Sequence, residues 1–255
     1  MNISLENQVA VVTGGSRGIG AATVKLFAEA GCNVVFSYLK AAGAAKEVVS
    51  ACRELPGSVL TVRADVSKMA DAGKLIDKAI QRFGRLDILV ANAGIWNANP
   101  AQIEEVTELQ WDKMVAVNLK GVYSAIRYAV PRLILQKSGR IIAVSSTAGQ
   151  RGEAFHTHYG AAKGGVISLV KGLSTELAPH NILVNAVAPG WVLTDMAKPV
   201  LRNPSDMRKA TSSIPLRRFA TPEEVAMPIL FLASEMSTYL TGEIININGG
   251  SVLCG

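Results

Sequence analysis

The chain's 255 residues are 49% hydrophobic and 18% charged, with no single-residue or polar tract, so the sequence can bury a large core and is neither disordered nor fibrous. The formal charge of +6 comes from Lys and Arg spread along the chain without a run, which excludes the clustered cations that grip nucleic acid. Cys32, Cys52 and Cys254 lie far apart, and no metal-ligand spacing surrounds His156, His158 or His180, so neither a disulfide framework nor a metal site is expected.

In chain order, the polar opening MNISLENQ lacks a basic segment ahead of an apolar one, and no apolar run approaches the roughly 18 residues of a membrane span. A cytoplasmic protein with no membrane partner is expected. Short, nearly continuous apolar runs rich in β-branched residues follow at 9–13, 33–37, 58–62, 87–91, 140–145, 182–188 and 243–248. That pattern predicts strands buried on both faces. Between them lie helical periodicities, including 21–31 with Gly31 as its stop, 67–84 with Ser67 as candidate cap, and long helices at about 112–137 and 156–180. The alternation predicts a single domain over 1–255, an α/β doubly wound (Rossmann-type) parallel sheet of about seven strands with helices on both faces. Ligands of such sheets bind beyond the carboxyl ends of the strands.

The first such end is TGGSRGIG at 13–20, whose glycine spacing is not the G-x-G-x-x-G of dinucleotide sites. Glycines at a strand-to-helix turn favour an anion on the helix N-terminus, although a glycine turn can also serve only to reverse the chain. Asn92-Ala93-Gly94 follows the fourth run and Ser146 the fifth, and Tyr159 and Lys163 come four residues apart in YGAAKGG. VNLKG supplies Asn118, and APGWVLTDM supplies Pro189-Gly190 with Thr194 downstream. Singly, each has a plainer reading: a strand-end hydroxyl for Ser146, an ordinary helix residue for Asn118, a surface contact for the Tyr-Lys pair.

Together these segments resemble the short-chain dehydrogenase/reductase family, whose pattern is T-G-x-x-x-G-x-G, N-A-G, a mid-helix Asn, a Ser, and Y-x-x-x-K thirteen residues beyond that Ser. The likeness runs from Val9 to the NGG at 248–250, with Ala91 where the family more often has a second Asn. It implies catalytic roles for Asn118, Ser146, Tyr159 and Lys163 in hydride transfer between a nicotinamide and a ketone or secondary alcohol, nearest in look to the 3-oxoacyl-[acyl-carrier-protein] reductases. Lys163, one helical turn from Tyr159, is expected to pull the phenol below its ordinary pKa. An NAD(P)-dependent sugar or polyol dehydrogenase, or an NADP(H)-binding sensor or scaffold without turnover, are the alternatives.

The resemblance also implies cofactor contacts. Gly14, Ser16, Arg17, Gly18, Ile19 and Gly20 would cradle the pyrophosphate, and Asp65 and Val66 would face the adenine. Asn92, Ala93 and Gly94, the Tyr159-Lys163 pair, Pro189, Gly190, Val192 and Thr194 would line the rest. Asp65 and Thr194 could instead be helix caps. NAD-selective members carry an acid at the end of the second strand; here Ser37 and Tyr38 stand there, with Lys40 beyond, and Arg17 can reach the same ribose, so NADP(H) is expected. Arg17 as a solvated loop cation is the alternative. Trp96, Phe155 and Trp191 follow three strand ends and are expected to form an apolar substrate mouth, with 191–220 as the substrate-loop region. His156 and His158 are read as substrate-loop or subunit-contact residues. A homotetramer through the two long helices and the last strand is expected. Lys137 meets, but His180 does not, the basic pair with which the resembling reductases hold acyl-carrier protein.

Overall fold

The computed structural model describes residues 3–254; Met1, Asn2 and Gly255 of the expected 1–255 span lie outside the described residues. Strands β1 (Val9–Val12), β2 (Asn33–Tyr38), β3 (Val59–Arg63), β4 (Ile88–Ala91), β5 (Gly139–Val144), β6 (Ile182–Pro189) and β7 (Ile244–Ile247) form one parallel sheet ordered β3-β2-β1-β4-β5-β6-β7. The helices are α1 (Gly18–Glu29), α2 (Ala42–Ala51), α3 (Met69–Phe83), α4 (Glu108–Val115), α5 (Gly121–Gln136), α6 (Thr147–Arg151), α7 (Thr157–Leu177), α8 (Lys198–Arg202), α9 (Pro204–Ser212) and α10 (Pro222–Ala233).

Alternation along each strand feeds two cores. Val9, Val11, Leu89, Ile141 and Val184 pack on one face with Leu75 and Ile76 of α3, Ile126 and Leu133 of α5, and Val166 and Val170 of α7. Ala10, Val12, Val34, Val90 and Val144 pack on the other with Val24 and Phe27 of α1 and Val225 and Ile229 of α10. Burial on both faces holds for β1 and β4, every residue of which is buried. It fails at β3 and β7, which have one strand neighbour each and are only partly covered.

Gly31, at φ +86°, ends α1 through the left-handed backbone that L side chains resist. Ser67 does not cap α3: the N-cap is Lys68, while Ser67 gives both its amide and its hydroxyl to Asp65 Oδ1 (3.1 and 2.7 Å). The predicted helix at 112–137 begins earlier and is interrupted by a π-helical turn, Ala116–Lys120, between α4 and α5. The helix predicted at 156–180 is α7 followed by a 3₁₀ turn, Ala178–His180.

The chain reverses its direction of travel across the sheet between β1 and β4, where the helices leaving the two strands part and open a crevice. Thr13 closes that point. Its hydroxyl accepts from the amides of Asn92 and Ala93, both at 2.9 Å, and the Asn92 side chain donates to the Thr13 and Gly14 carbonyls at 2.9 and 3.1 Å. Thr13→Val keeps the shape but leaves the Ala93 amide without this acceptor, so it should cost about 1–3 kcal/mol in urea unfolding, with wild-type stability contradicting the role.

Candidate functional site

β5 delivers Ser145 and Ser146 to its carboxyl end. The Ser146 hydroxyl accepts from the Ala148 amide (3.1 Å) and so caps α6, while the Ser145 hydroxyl donates to the Lys163 carbonyl (2.9 Å) and fixes α7 against the strand. The approach depends on Gly149, where a Cβ would stand 2.6 Å from the Lys163 backbone carbon. α7 presents Tyr159 and Lys163 on the same face, one turn apart. Lys163 Nζ lies 5.9 Å from the Tyr159 ring centroid and donates to the Val144 carbonyl at 2.8 Å. Among the described residues no carboxylate pairs with it.

Asn118 sits in the π-helical turn and is fully buried. Its amide nitrogen donates to the carbonyls of Met114 (3.1 Å) and Ile95 (3.0 Å), and its oxygen accepts from the Ile95 amide (3.0 Å). The wide turn thereby reaches across to the chain leaving β4. Gly94 makes room there, since a Cβ would lie 2.8 Å from Asn118 Oδ1 and 3.5 Å from Lys163 Nζ. Asn118, Gly94, Ser146, Tyr159 and Lys163 are thus gathered at the carboxyl ends of β4 and β5.

The expectation that Lys163 lowers the Tyr159 pKa is not met in the chain by itself. Burial pushes the phenol up to about 12, outweighing the Ser146 hydroxyl, which pulls it down, and Glu153 adds to the rise. Burial also pushes Lys163 down to about 8, because an ammonium held by one carbonyl is poorly compensated for lost water.

At the glycine loop, Gly14 (φ +68°) and Gly18 (φ +53°) occupy left-handed backbone, and a Cβ on Gly14 would stand 2.9 Å from Ala93 Cα. A Cβ on Gly20 would collide with the Gly14 carbonyl. α1 has no side-chain cap and no acid in its first turn, which leaves amides of that turn open to an anion. Ser16 and Gly18 are partly exposed there, whereas Ile19 packs against the core. Ser37 is committed to the scaffold: its buried hydroxyl accepts from the Gly14 amide at 3.1 Å. Tyr38 packs on the same core as α1, and Lys40 is exposed. Arg63, paired across from Tyr38, donates to the Leu39 carbonyl at 3.3 Å and adds a cation that the sequence pattern missed.

Arg17 is not a free loop cation; its guanidinium meets Asp195 at 2.9 Å. Asp65 keeps Ser67 in its turn, Val66 is buried against Gly121, and Thr194 precedes a 3₁₀ turn without capping it. Val192 pairs with Ala220 in a short parallel bridge. The Gly190 amide donates to the Ile247 carbonyl at 3.0 Å, so Pro189 and Gly190 hold the base of 191–220 on β7.

Of the three expected mouth residues, two converge. Trp96 stands edge-on to Trp191 at 5.7 Å. Two further rings extend them into a row: Trp191 stacks on Phe219 at 5.4 Å, which the sequence reading did not single out, and Trp96 stacks on His156 at 5.0 Å. Phe155 is not in the row; it is 55% exposed, at φ +64°, and its carbonyl accepts from the Ala101 amide. His156 and His158 are buried, at 8% and 5% exposure, which removes both from any subunit-contact surface. Among the described residues no group of three His, Cys, Asp or Glu is placed to hold a metal, and no helix is long and apolar enough to cross a membrane.

Lys163 binds fewer protons folded than unfolded between its depressed pKa of about 8 and its ordinary value, so stability should rise with pH there. Between about pH 8 and 9.5 the wild type should gain up to roughly 1.4 kcal/mol per pH unit relative to Lys163→Met in chemical unfolding. Parallel curves for the two proteins would place the Lys163 pKa at its ordinary value.

Residues 14–251 match the family model described as "Enoyl-(Acyl carrier protein) reductase". The chain is 42% identical over 254 residues to the 3-oxoacyl-[acyl-carrier-protein] reductase FabG of Thermotoga maritima, covering 98% of this chain and 99% of that protein. It is 38% identical to the reductase of the same name from Chlamydia muridarum over 98% of this chain and 99% of that one. Among solved structures, the 3-ketoacyl-(acyl-carrier-protein) reductase of Brucella melitensis complexed with NADH superposes with a TM-score of 0.91 at 33% identity, covering 98% and 100% of the two chains. Levodione reductase superposes at 0.90 with 30% identity over 96% and 97%. With the Ser-Tyr-Lys arrangement, the glycine loop and these matches, the chain belongs to the short-chain dehydrogenase/reductase family.

Proposed function

We propose that the chain is an NADP(H)-dependent oxidoreductase that moves hydride between the nicotinamide and a ketone or secondary alcohol, with 3-oxoacyl thioesters the first carbonyl class to test. The observation that carries this reading is the gathering of the Ser146 and Tyr159 hydroxyls and the Lys163 ammonium at one strand end, beside the crevice between β1 and β4. The residues present suit a dinucleotide: left-handed glycines at 14 and 18, an uncapped first turn of α1, Gly94 cleared beside Asn118, and no acid at the end of β2. When bound, the nicotinamide supplies or takes the hydride.

The chain's own groups handle the proton. Burial keeps Tyr159 protonated at neutral pH, the state that can give a proton to a carbonyl oxygen. The Ser146 hydroxyl hydrogen-bonds the same oxygen and stabilises the charge that develops on it. Lys163, charged below about pH 8, favours the tyrosinate left behind. Asn118 holds Ile95 and the turn beside Lys163.

The row of Phe219, Trp191, Trp96 and His156 supports an apolar substrate entering beneath 191–220. A sugar or polyol fits that wall poorly, and a sensor without turnover has no use for the complete Ser-Tyr-Lys set. Lys137 and His180 end neighbouring helical segments, and the Asn181 side chain donates to the Lys137 carbonyl at 3.3 Å. With one firm cation in that pair, carrier-protein thioesters should be reduced no more than a few-fold better than their coenzyme A counterparts.

A homotetramer in the cytoplasm completes the proposal. Leu109 and Leu135 are each 78% exposed, and Tyr123 and Tyr128 join them on α4 and α5 as apolar surface for a partner. α7 exposes no large apolar side chain among the described residues. Light scattering at micromolar concentration should give four times the chain mass, and a monomer would refute the assembly. Tyr159→Phe should lower turnover of NADPH with 3-oxoacyl thioesters by about 10² or more while leaving the NADPH dissociation constant within a few-fold. Retention of a tenth of the wild-type rate would remove Tyr159 from the proton-donor role.

A further inference from the structure

At the mouth of the glycine loop two cations share one carboxylate. Asp195 accepts Arg17 Nη1 on Oδ2 at 2.9 Å and pairs with Lys198 through Oδ1. Beside this, Gly18 lies so close to Thr194 that a Cβ on it would stand 2.9 Å from the Thr194 methyl. The segment 194–198 is therefore seated on the N-terminus of α1, and the loop cation is turned toward it. Asp195 lies 178 residues from Arg17, beyond the reach of any spacing argument.

The geometry points to Asp195 as a positioning residue that sets how strongly the chain prefers a 2′-phosphorylated dinucleotide, by occupying Arg17 until the phosphate displaces it. This inference rests on the NADP(H) reading above. The Asp195 contact takes one guanidinium nitrogen, Nη1, and turns the side chain toward 194–198, so a phosphate gripped by the whole fork competes with the carboxylate for it. The phosphate prevails, because a phosphate monoester carries about −1.5 to −2 charges and three acceptor oxygens against the single charge of a carboxylate. Displacement is cheap for two further reasons. The Arg17 and Asp195 side chains are 58% and 38% exposed, and Lys198 still pairs with Asp195 after Arg17 leaves. Both cations hold the Asp195 carboxyl below the usual carboxylate range, so it competes throughout the neutral range. A dinucleotide without the 2′-phosphate leaves the Arg17–Asp195 pair standing.

The test is binding rather than turnover: dissociation constants for NADPH and NADH by fluorescence titration, and for 2′,5′-ADP by calorimetry, in wild type, Asp195→Asn, Asp195→Glu, Arg17→Ala and the Arg17→Ala/Asp195→Asn double variant. Asp195→Asn should tighten NADPH and 2′,5′-ADP about two- to fivefold, the range an exposed ion pair is worth, and change NADH by less than the tightening of NADPH. Asp195→Glu should restore the wild-type NADPH-to-NADH ratio. In the Arg17→Ala background the Asp195→Asn change should have no effect on that ratio, because the group it acts through is gone. A merely structural role for Asp195 would move both dinucleotides equally, and a general removal of negative charge would still favour NADPH in the Arg17→Ala background; either outcome overturns the inference, as does an unchanged NADPH constant in Asp195→Asn. A wild type that binds NADH as tightly as NADPH overturns the cofactor reading and the inference with it, which separates that failure from the failure of Asp195 alone.

Discussion

The organisation of this protein turns on the hydrogen bonds that Thr13 and Asn92 exchange across the gap between β1 and β4. A parallel sheet that changes its direction of travel leaves two strand ends with helices departing to opposite faces, and the crevice between them is empty of chain. Without a tie, those ends could splay. The Thr13 hydroxyl and the Asn92 amide satisfy each other's backbones and fix the distance between the glycine loop and the Asn92-Ala93-Gly94 turn. Ser37 adds the third side by accepting from Gly14. The loop is thus a rigid floor whose glycines are required by contacts on both sides of it.

On that floor stands a buried pair whose charges are set by desolvation. Lys163 has a carbonyl for company where a buried ammonium ordinarily needs a carboxylate, and its pKa falls accordingly; Tyr159, enclosed with it, is driven the opposite way. An arriving carbonyl therefore meets a phenol that holds its proton and an ammonium ready to compensate the tyrosinate. The chain reaches this state through close packing at glycines: Gly149 brings α6 to the Lys163 backbone, and Gly94 clears the space around Asn118.

The substrate side is built differently. Within 191–220, Ala197, Ala210, Ile214 and Phe219 pack among Trp191, Val200 and Leu201 as a small cluster of their own, while Val192 and Ala220 at the segment's ends join the sheet core on the α1 side. The aromatic row and the Arg17–Asp195 pair connect that unit to the rest: one joins it to the start of α7, the other to the start of α1. Both links are made by side chains over the crevice, so the segment governing substrate entry also touches the residues proposed to grip the dinucleotide.

What the sequence by itself determined was the part encoded locally. Seven apolar runs of strand length and the helical periodicities between them fix an α/β parallel sheet, because burial on both faces leaves its mark on each short segment. The Gly31 stop and the one-turn step from Tyr159 to Lys163 were legible for the same reason, since helical geometry sets each, whereas the gap from Ser146 to Tyr159 had meaning only through the family resemblance. The tertiary structure alone decided the rest. The exposure of β3 and β7 depends on position in the sheet, a property no strand carries in its own residues. The π-helical turn at Asn118 arises where a side chain must reach Ile95 on another segment. The partners of Arg17, His156 and Ser37 lie 178, 60 and 23 residues away, and the pKa values of Tyr159 and Lys163 follow from water excluded by packing. Periodicity and motif spacing carry information across a few turns of chain; charge pairing, ring stacking and desolvation depend on distances through space, which only the folded chain defines.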